Sequence, residues 1–307
     1  MNKPKFLISL TTMDNDYQLE QAESAKKAAR QVGAEVEIIQ ADNDAINQSQ
    51  QLLKVIQSST IPGPNAIVME PVGGTALPHV ARAAVAAGIG WVVLNREAEY
   101  MSELRRAGKA PAFEVGSDHL EIGRIQGRQF AALLPEGGTV LYIQGPSDSS
   151  AAKQRTAGMS QTKPDNVQVS VLKAQWTEAS AYRAVSSWLR LSTSQKAQIN
   201  LIGAQDDSMA VGARKAFQEQ TAGAEQQRWL NLPFTGCDGL PKTGQAWVRS
   251  GLLAATVVVP PNAGLAVEML VKAIQTGALP AQQTLTQPSS FPAVEALGAA
   301  KVHKSAF

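Results

Sequence analysis

With 307 residues the chain exceeds the size at which a single hydrophobic core keeps growing, so two domains are expected. Hydrophobic residues make up 44% and charged residues 18%, which places it among folded globular proteins. The net charge of +2 is scattered, and its densest group (Arg105, Arg106, Lys109) is too short for a phosphate-binding stripe, so nucleic acid is excluded as an expected partner. Cys237 is the lone cysteine, which rules out an intrachain disulfide and leaves the compartment open. No apolar run approaches the ~18 residues of a membrane span. The opening MNKPKFLISLTT lacks the apolar core and cleavage site of an export signal, so a signal is expected either to have been removed or never to have existed.

Apolar runs predict strands at 5–11, 34–40, 66–70, 90–95, 112–116, 138–144, 167–174, 199–204, 230–236 and 253–259. Between them lie stretches with helical spacing, such as 17–32 (Leu19, Ala22, Ala25, Ala29, Val32) and 119–134. Strands alternating with helices of ~10–15 residues indicate βαβ units and parallel sheets, hence an α/β fold. Runs such as Ala66-Ile67-Val68-Met69 are apolar throughout, as strands covered on both faces should be. A polar stretch at 104–118, with Gly108 and Pro111, marks a seam between two similar units. Beyond residue 280 the pattern weakens into a Pro-rich chain and a Lys-flanked tail.

In open α/β sheets, ligands bind beyond the carboxyl ends of the strands. The residues just past the predicted strands include Thr12 to Tyr17, Asn95-Arg96, Ser147-Asp148 and then Arg155. Farther along come Gln175-Trp176-Thr177, Gln205-Asp206-Asp207 and Cys237-Asp238-Gly239. Amides, carboxylates, arginines and aromatics together suit a polyhydroxylated ligand: flat rings cover its apolar faces and bidentate groups share vicinal hydroxyls.

These motifs resemble the type I periplasmic sugar-binding proteins, the ribose- and galactose-binding group, whose core is shared with the ligand domain of LacI-type repressors. The resemblance is carried by TTMDNDYQ (11–18), LNRE (94–97), GSDHLEIGRIQG (116–127), GPSDSSAAKQRTAGM (145–159), AQDDSMAVGA (204–213), TGCDGLPKTG (235–244) and AATVVV (254–259). It implies two Rossmann-like lobes with parallel sheets, joined by a three-strand hinge. Their expected extents are 1–115 plus 260–288, and 116–259 plus 289–307. It also implies a sugar clamped between them. The ligand contacts it implies are Asn15, Tyr17, Asn95 and Arg96 from the first lobe, and Arg155, Trp176, Asp206 and Asp238 from the second. Four positions depart from the ribose-binding pattern: Asn95 stands where Asp is usual, Asp206 where Asn is, Val259 where Gln is, and Gln18 where Phe is. Asp206 suggests a ligand with an extra donor there, such as an amino group.

Each contact has a plainer reading. Arg96 could pair with Glu97 and Arg155 with Asp148 on the surface. Trp176 could be a core residue rather than an exposed stacking platform. Asp206 could be a helix cap, Asp238-Gly239 a turn, and Cys237 a small buried hydrophobe. An enzyme is not expected: His79, His119 and His303 are far apart, and no phosphate loop, G-x-G-x-x-G or G-x-S-x-G occurs. Asp206 and Asp207, adjacent at a helix start, should point in different directions rather than act as a dyad. No cofactor or metal is implied. The resemblance predicts a monomer in the periplasm that delivers its ligand to a membrane permease or receptor without inserting in the membrane. The alternative is a cytoplasmic or receptor-linked sugar sensor without a DNA-binding headpiece, since the first strand is predicted at residue 5 and such a headpiece takes ~60 residues.

Overall fold

The structure, a computed structural model, describes residues 3–58, 63–73, 77–107, 110–195 and 197–298. Gly108, Lys109, His303 and the end of the tail lie outside the described residues.

The chain divides into two units, Met1–Ser117 with Pro261–Thr286, and Asp118–Pro260 with Gln287–Phe307. It therefore passes from one to the other after Ser117, Pro260 and Thr286. The fifth strand runs on through Ser117, where the first division falls.

The first unit opens with β1 (Lys5–Leu10), α1 (Asp16–Val32), β2 (Glu35–Gln40), α2 (Ala45–Gln57) and β3 (Ala66–Met69). It continues through α3 (Pro78–Ala86), β4 (Gly90–Leu94), α4 (Met101–Ala107) and β5 (Ala112–Ser117). The second unit runs α5 (His119–Leu133), β6 (Gly138–Gln144), α6 (Ser150–Thr162), β7 (Val167–Lys173), α7 (Glu178–Leu189) and α8 (Ser192–Gln195). Then follow β8 (Leu201–Ala204), α9 (Asp207–Gln220), α10 (Gly223–Leu230), β9 (Phe234–Asp238), α11 (Gly244–Arg249) and β10 (Ala255–Val258). The chain returns to the first unit for α12 (Ala263–Thr276) and β11 (Gln283–Thr286), and ends in the second with β12 (Ser289–Phe291).

Each unit holds one six-stranded sheet, ordered β11-β5-β4-β3-β1-β2 in the first and β12-β10-β9-β8-β6-β7 in the second. Every pairing is parallel except that of β12 with β10. The two sheets repeat one doubly wound order, and each reverses direction at one point, between β1 and β3 and between β6 and β8. Alternation along β1 explains the layering. Phe6, Ile8 and Leu10 pack with α1 and α12, and Leu7 packs on the other face with Ile67, Trp91 and α3. In the second unit Leu141, Ile143 and Phe234 share one layer with α7 and α9, while Val140 and Tyr142 join Phe130 and Met159 in the other.

Three expectations need correction. The strand predicted at 230–236 lies at 234–238, because Trp229 and Leu230 end α10 and Pro233 separates that helix from the strand. The strand predicted from 199 begins at 201. Two short strands, β11 and β12, occupy the Pro-rich stretch where none was predicted; both are edge strands, and their Gln, Ser and Thr residues gave no apolar signal. As far as residue 298, the tail packs on the second unit through Leu297.

Candidate functional site

In the first unit the carboxyl ends of β1, β3, β4 and β5 gather the polar side chains that are buried. Asn15 caps α1, its Oδ1 accepting from the Tyr17 N–H (2.9 Å) and the Gln18 N–H (3.2 Å). Tyr17 is thus in the first turn of a helix and buried, rather than in the loop expected. Asn95, at φ 55° just past β4, is 5% exposed. Its Oδ1 accepts from Asn262 Nδ2 (2.5 Å), and its Nδ2 donates to Glu70 Oε2 (3.3 Å). Asn262 also donates to Ser117 Oγ (3.2 Å) and accepts from Thr286 Oγ1 (2.9 Å). The half-buried Arg96 is anchored by its Nη1, which donates to the Asn95 carbonyl (2.8 Å). This network joins all three places where the chain leaves or enters the unit: β5, the start of α12 and β11.

In the second unit the corresponding ends of β6, β8 and β9 carry a charged cluster. Arg155, on α6, is 6% exposed rather than on the surface beside the exposed Asp148. Its Nη1 donates to the Gln205 carbonyl, its guanidinium lies 5.3 Å from the centre of the Trp176 ring, and its Nε is buried with no hydrogen-bond partner. Trp176 is half-buried against the core and rests on Gly145, where a Cβ would come within 2.3 Å of the indole. The expected exposed loop platform is therefore corrected: one side of the ring is core packing and Arg155 lies over the ring. Asp206 caps α9 by accepting from the Met209 N–H (3.0 Å). Asp207 points the other way, accepting from Thr256 Oγ1 (2.7 Å) and the Gly239 N–H (2.8 Å). Asp238 lies within hydrogen-bonding reach of Asp206. Cys237, beside it, is fully buried in β9.

The electrostatics follow from one guanidinium among three carboxyl groups. Burial works against the charge on Arg155, but the nearby Cys237, Asp238, Asp206 and Tyr142 outweigh it and raise its pKa. Arg155 cannot do as much for each acid. Burial and then the neighbouring Asp206 push Asp238 well above the ordinary carboxylate range, with Arg155 pulling the other way. Asp207 is pushed up to about 8, chiefly by burial, despite its bonds to Thr256 and Gly239. Burial also raises the Cys237 thiol and keeps it neutral.

Of the six non-glycine residues with positive φ among the described residues, three are expected contacts: Asn95 (55°), Trp176 (58°) and Asp238 (110°). Strained backbone of this kind concentrates where function holds it in place. Sequence reasoning missed Glu70, which is 5% exposed directly after β3, and Asn262. Glu70 was counted as the end of its strand, although its place at the first sheet's switch point could have revealed it. Two cavities in the first unit, about 390 Å³ beside Lys5 and Glu35 and about 580 Å³ beside Asn65, Gly88 and Pro111, lie at the opposite, amino ends of the strands. No group of three or more metal-ligating side chains occurs among the described residues. No helix is long and apolar enough to cross a membrane among them.

Two doubly wound α/β units, traversed three times by one chain and each polar at its carboxyl ends, define the class of a two-domain binding protein. The family described as "Periplasmic binding protein domain" matches residues 6–278, and the chain belongs to that family, in its type I form. It is 27% identical over 262 residues to the ribose import binding protein RbsB of Escherichia coli K12, covering 85% of this chain and 81% of the relative. Its fold matches a periplasmic solute-binding protein of an ABC transporter from Actinobacillus succinogenes 130z, solved with bound D-allose. That match has a TM-score of 0.78 and 21% identity, and covers 94% of this chain and 97% of the other. It also matches a galactofuranose-binding protein at a TM-score of 0.79 and 20% identity, covering 98% and 99% respectively.

Proposed function

We propose that this protein binds a monosaccharide or related polyol and delivers it, chemically unchanged, to an ABC-type membrane permease. The observation that carries this reading is the arginine at each unit's polar face, Arg96 beside Asn95 and Arg155 beside Asp206 and Asp238, each anchored through Nη1 on a backbone carbonyl. Such a fork presents several N–H groups in one plane, a geometry that suits vicinal ligand hydroxyls. A ring face of the ligand would rest on Tyr17, Trp176 would back Arg155 and meet the ligand at its edge, and Asn15 would add an amide. In this reading the extents 1–115 with 260–288 and 116–259 with 289–307 act as the two lobes of a clamp. Closure would follow from the ligand's greater affinity for the closed state. The relatives' names support a periplasmic place of action and a transport role. The protein would act as a monomer until it meets its permease. No reaction is assigned to it: its carboxylates bind rather than transfer protons.

The test is a thermal-shift screen of the purified protein against pentoses, hexoses, inositols, amino sugars and sugar phosphates. A ligand that binds only the native state stabilises it by about 2.7 kcal/mol at a hundredfold excess over Kd. A clear rise with one polyol class is expected. A flat response to every class would overturn the reading.

A further inference from the structure

We infer that Gln205 is a positioning residue for ligand binding: its side chain fastens the helix that carries Arg155 to the strand ends beside it, while its main-chain carbonyl holds the guanidinium. The inference rests on the binding reading above and adds to it a residue that is itself fully buried.

Gln205 follows β8 directly, and a carboxamide in the interior is costly unless its hydrogen bonds are made. Here both ends of it are engaged. Its Oε1 accepts from the Gly145 N–H (3.0 Å), just past β6. Its Nε2 faces three acceptors: the Tyr142 hydroxyl (3.0 Å), the Ala152 carbonyl (3.0 Å) and Thr156 Oγ1 (2.9 Å). The Tyr142 hydroxyl donates onward to Gln126 Oε1 (2.7 Å), and Gln126 Nε2 returns to the Ala204 carbonyl (2.7 Å) next to Gln205. An apolar side chain of the same volume could fill this space, but only donors and acceptors at fixed points set the register of the pieces around it.

Those pieces each carry a proposed contact. Ala152 and Thr156 lie on α6 to either side of Arg155. Gly145 is the seat of the Trp176 indole. Gln205 itself precedes Asp206, the cap of α9. The guanidinium of Arg155 is aimed by two surfaces, the Gln205 carbonyl that accepts from its Nη1 and the Trp176 ring 5.3 Å away. Gln205 places both, the carbonyl through its own backbone and the ring through Gly145.

The experiment has two arms, each on the whole protein. The first needs no ligand and follows the Nε–H of Arg155 by nitrogen-15 NMR; this donor is buried without a hydrogen-bond partner, and Arg155→Lys identifies its signal. Gln205→Met, which keeps the volume and removes the bonds, should shift or broaden that signal. Thr156→Val removes one of the bonds at milder cost and should move the signal less, and it carries the test if Gln205→Met does not fold. A signal unchanged in the folded variants would overturn the inference.

The second arm is calorimetric titration with D-ribose, D-galactose and myo-inositol as probes. With the probe that binds most tightly, Gln205→Met should cost about tenfold or more in affinity, but less than about threefold when Arg155 is already Ala, since no guanidinium then remains to be aimed. The same loss in both backgrounds would show that Gln205 merely supports the fold and would overturn the inference while leaving the polyol reading standing. If the wild type bound none of the three probes, that would count against the polyol reading, and the NMR arm alone would decide whether Gln205 positions Arg155.

Discussion

The carboxyl of Asp207 has been turned into the sheet, against Thr256 and Gly239, and its burial has a consequence for stability. Its pKa in the folded protein is pushed up to about 8, whereas an unfolded aspartate titrates near ~3.9. The folded state therefore holds one more proton than the unfolded chain between those values. Stability from this group is fully present below the unfolded pKa and is lost as pH rises toward 8, on the order of 1 kcal/mol per pH unit. Melting curves of the wild type and Asp207→Asn between pH 5 and 8 should show the wild type losing ground to the variant as pH rises. A pH-independent difference would contradict this account. The opposed directions of Asp206 and Asp207 were legible in the sequence, because neighbouring residues at a helix start diverge. The burial of Arg155 was not. Nothing local distinguishes a surface arginine from one seated by Gln205 and Trp176, which lie 50 and 21 positions away in the chain.

Arg155 owes its place to the packing of α5 on α6. Gly123 faces the Arg155 carbonyl, where a Cβ would come within 2.0 Å, and Gly158 faces the Leu120 carbonyl at the same distance. Backbone meets backbone there, so neither helix can yield by moving a side chain. Gly158→Ala should push the helices apart, cost about 1–3 kcal/mol of stability and displace Arg155. Urea denaturation would detect it, and an unchanged midpoint would show that the contact is not tight. The eight central strands could be read from apolar runs because both faces of each sheet are covered, and the edge strands β2 and β7 from their alternating Val and Ile residues. β11 and β12 could not, since an edge strand of Gln, Ser and Thr resembles a loop until its partner is known. The same limit hid Asn262. Its role comes from Asn95, Ser117 and Thr286, which only the fold brings to it.

Across the whole molecule one strand order is used twice, and in both units the polar cluster gathers at the carboxyl ends around the switch point. The sequence revealed this doubling as a rhythm of strands and helices, without any residue-level repeat. The first unit ties its three chain passages together through Asn262, and the second surrounds Arg155 with acids, so the two clusters differ in charge although their scaffolds agree. In the proposed function both clusters act on one ligand, and neither suffices alone. The most direct test is calorimetric titration of the best ligand from the screen into the wild type, Arg96→Ala and Arg155→Ala, after confirming that both variants fold. Each variant should lose about 2–4 kcal/mol of binding free energy, because the hydroxyls its guanidinium served are left buried without a partner. If either variant binds within threefold of the wild type, the ligand is not held by both units and the proposed mechanism is wrong.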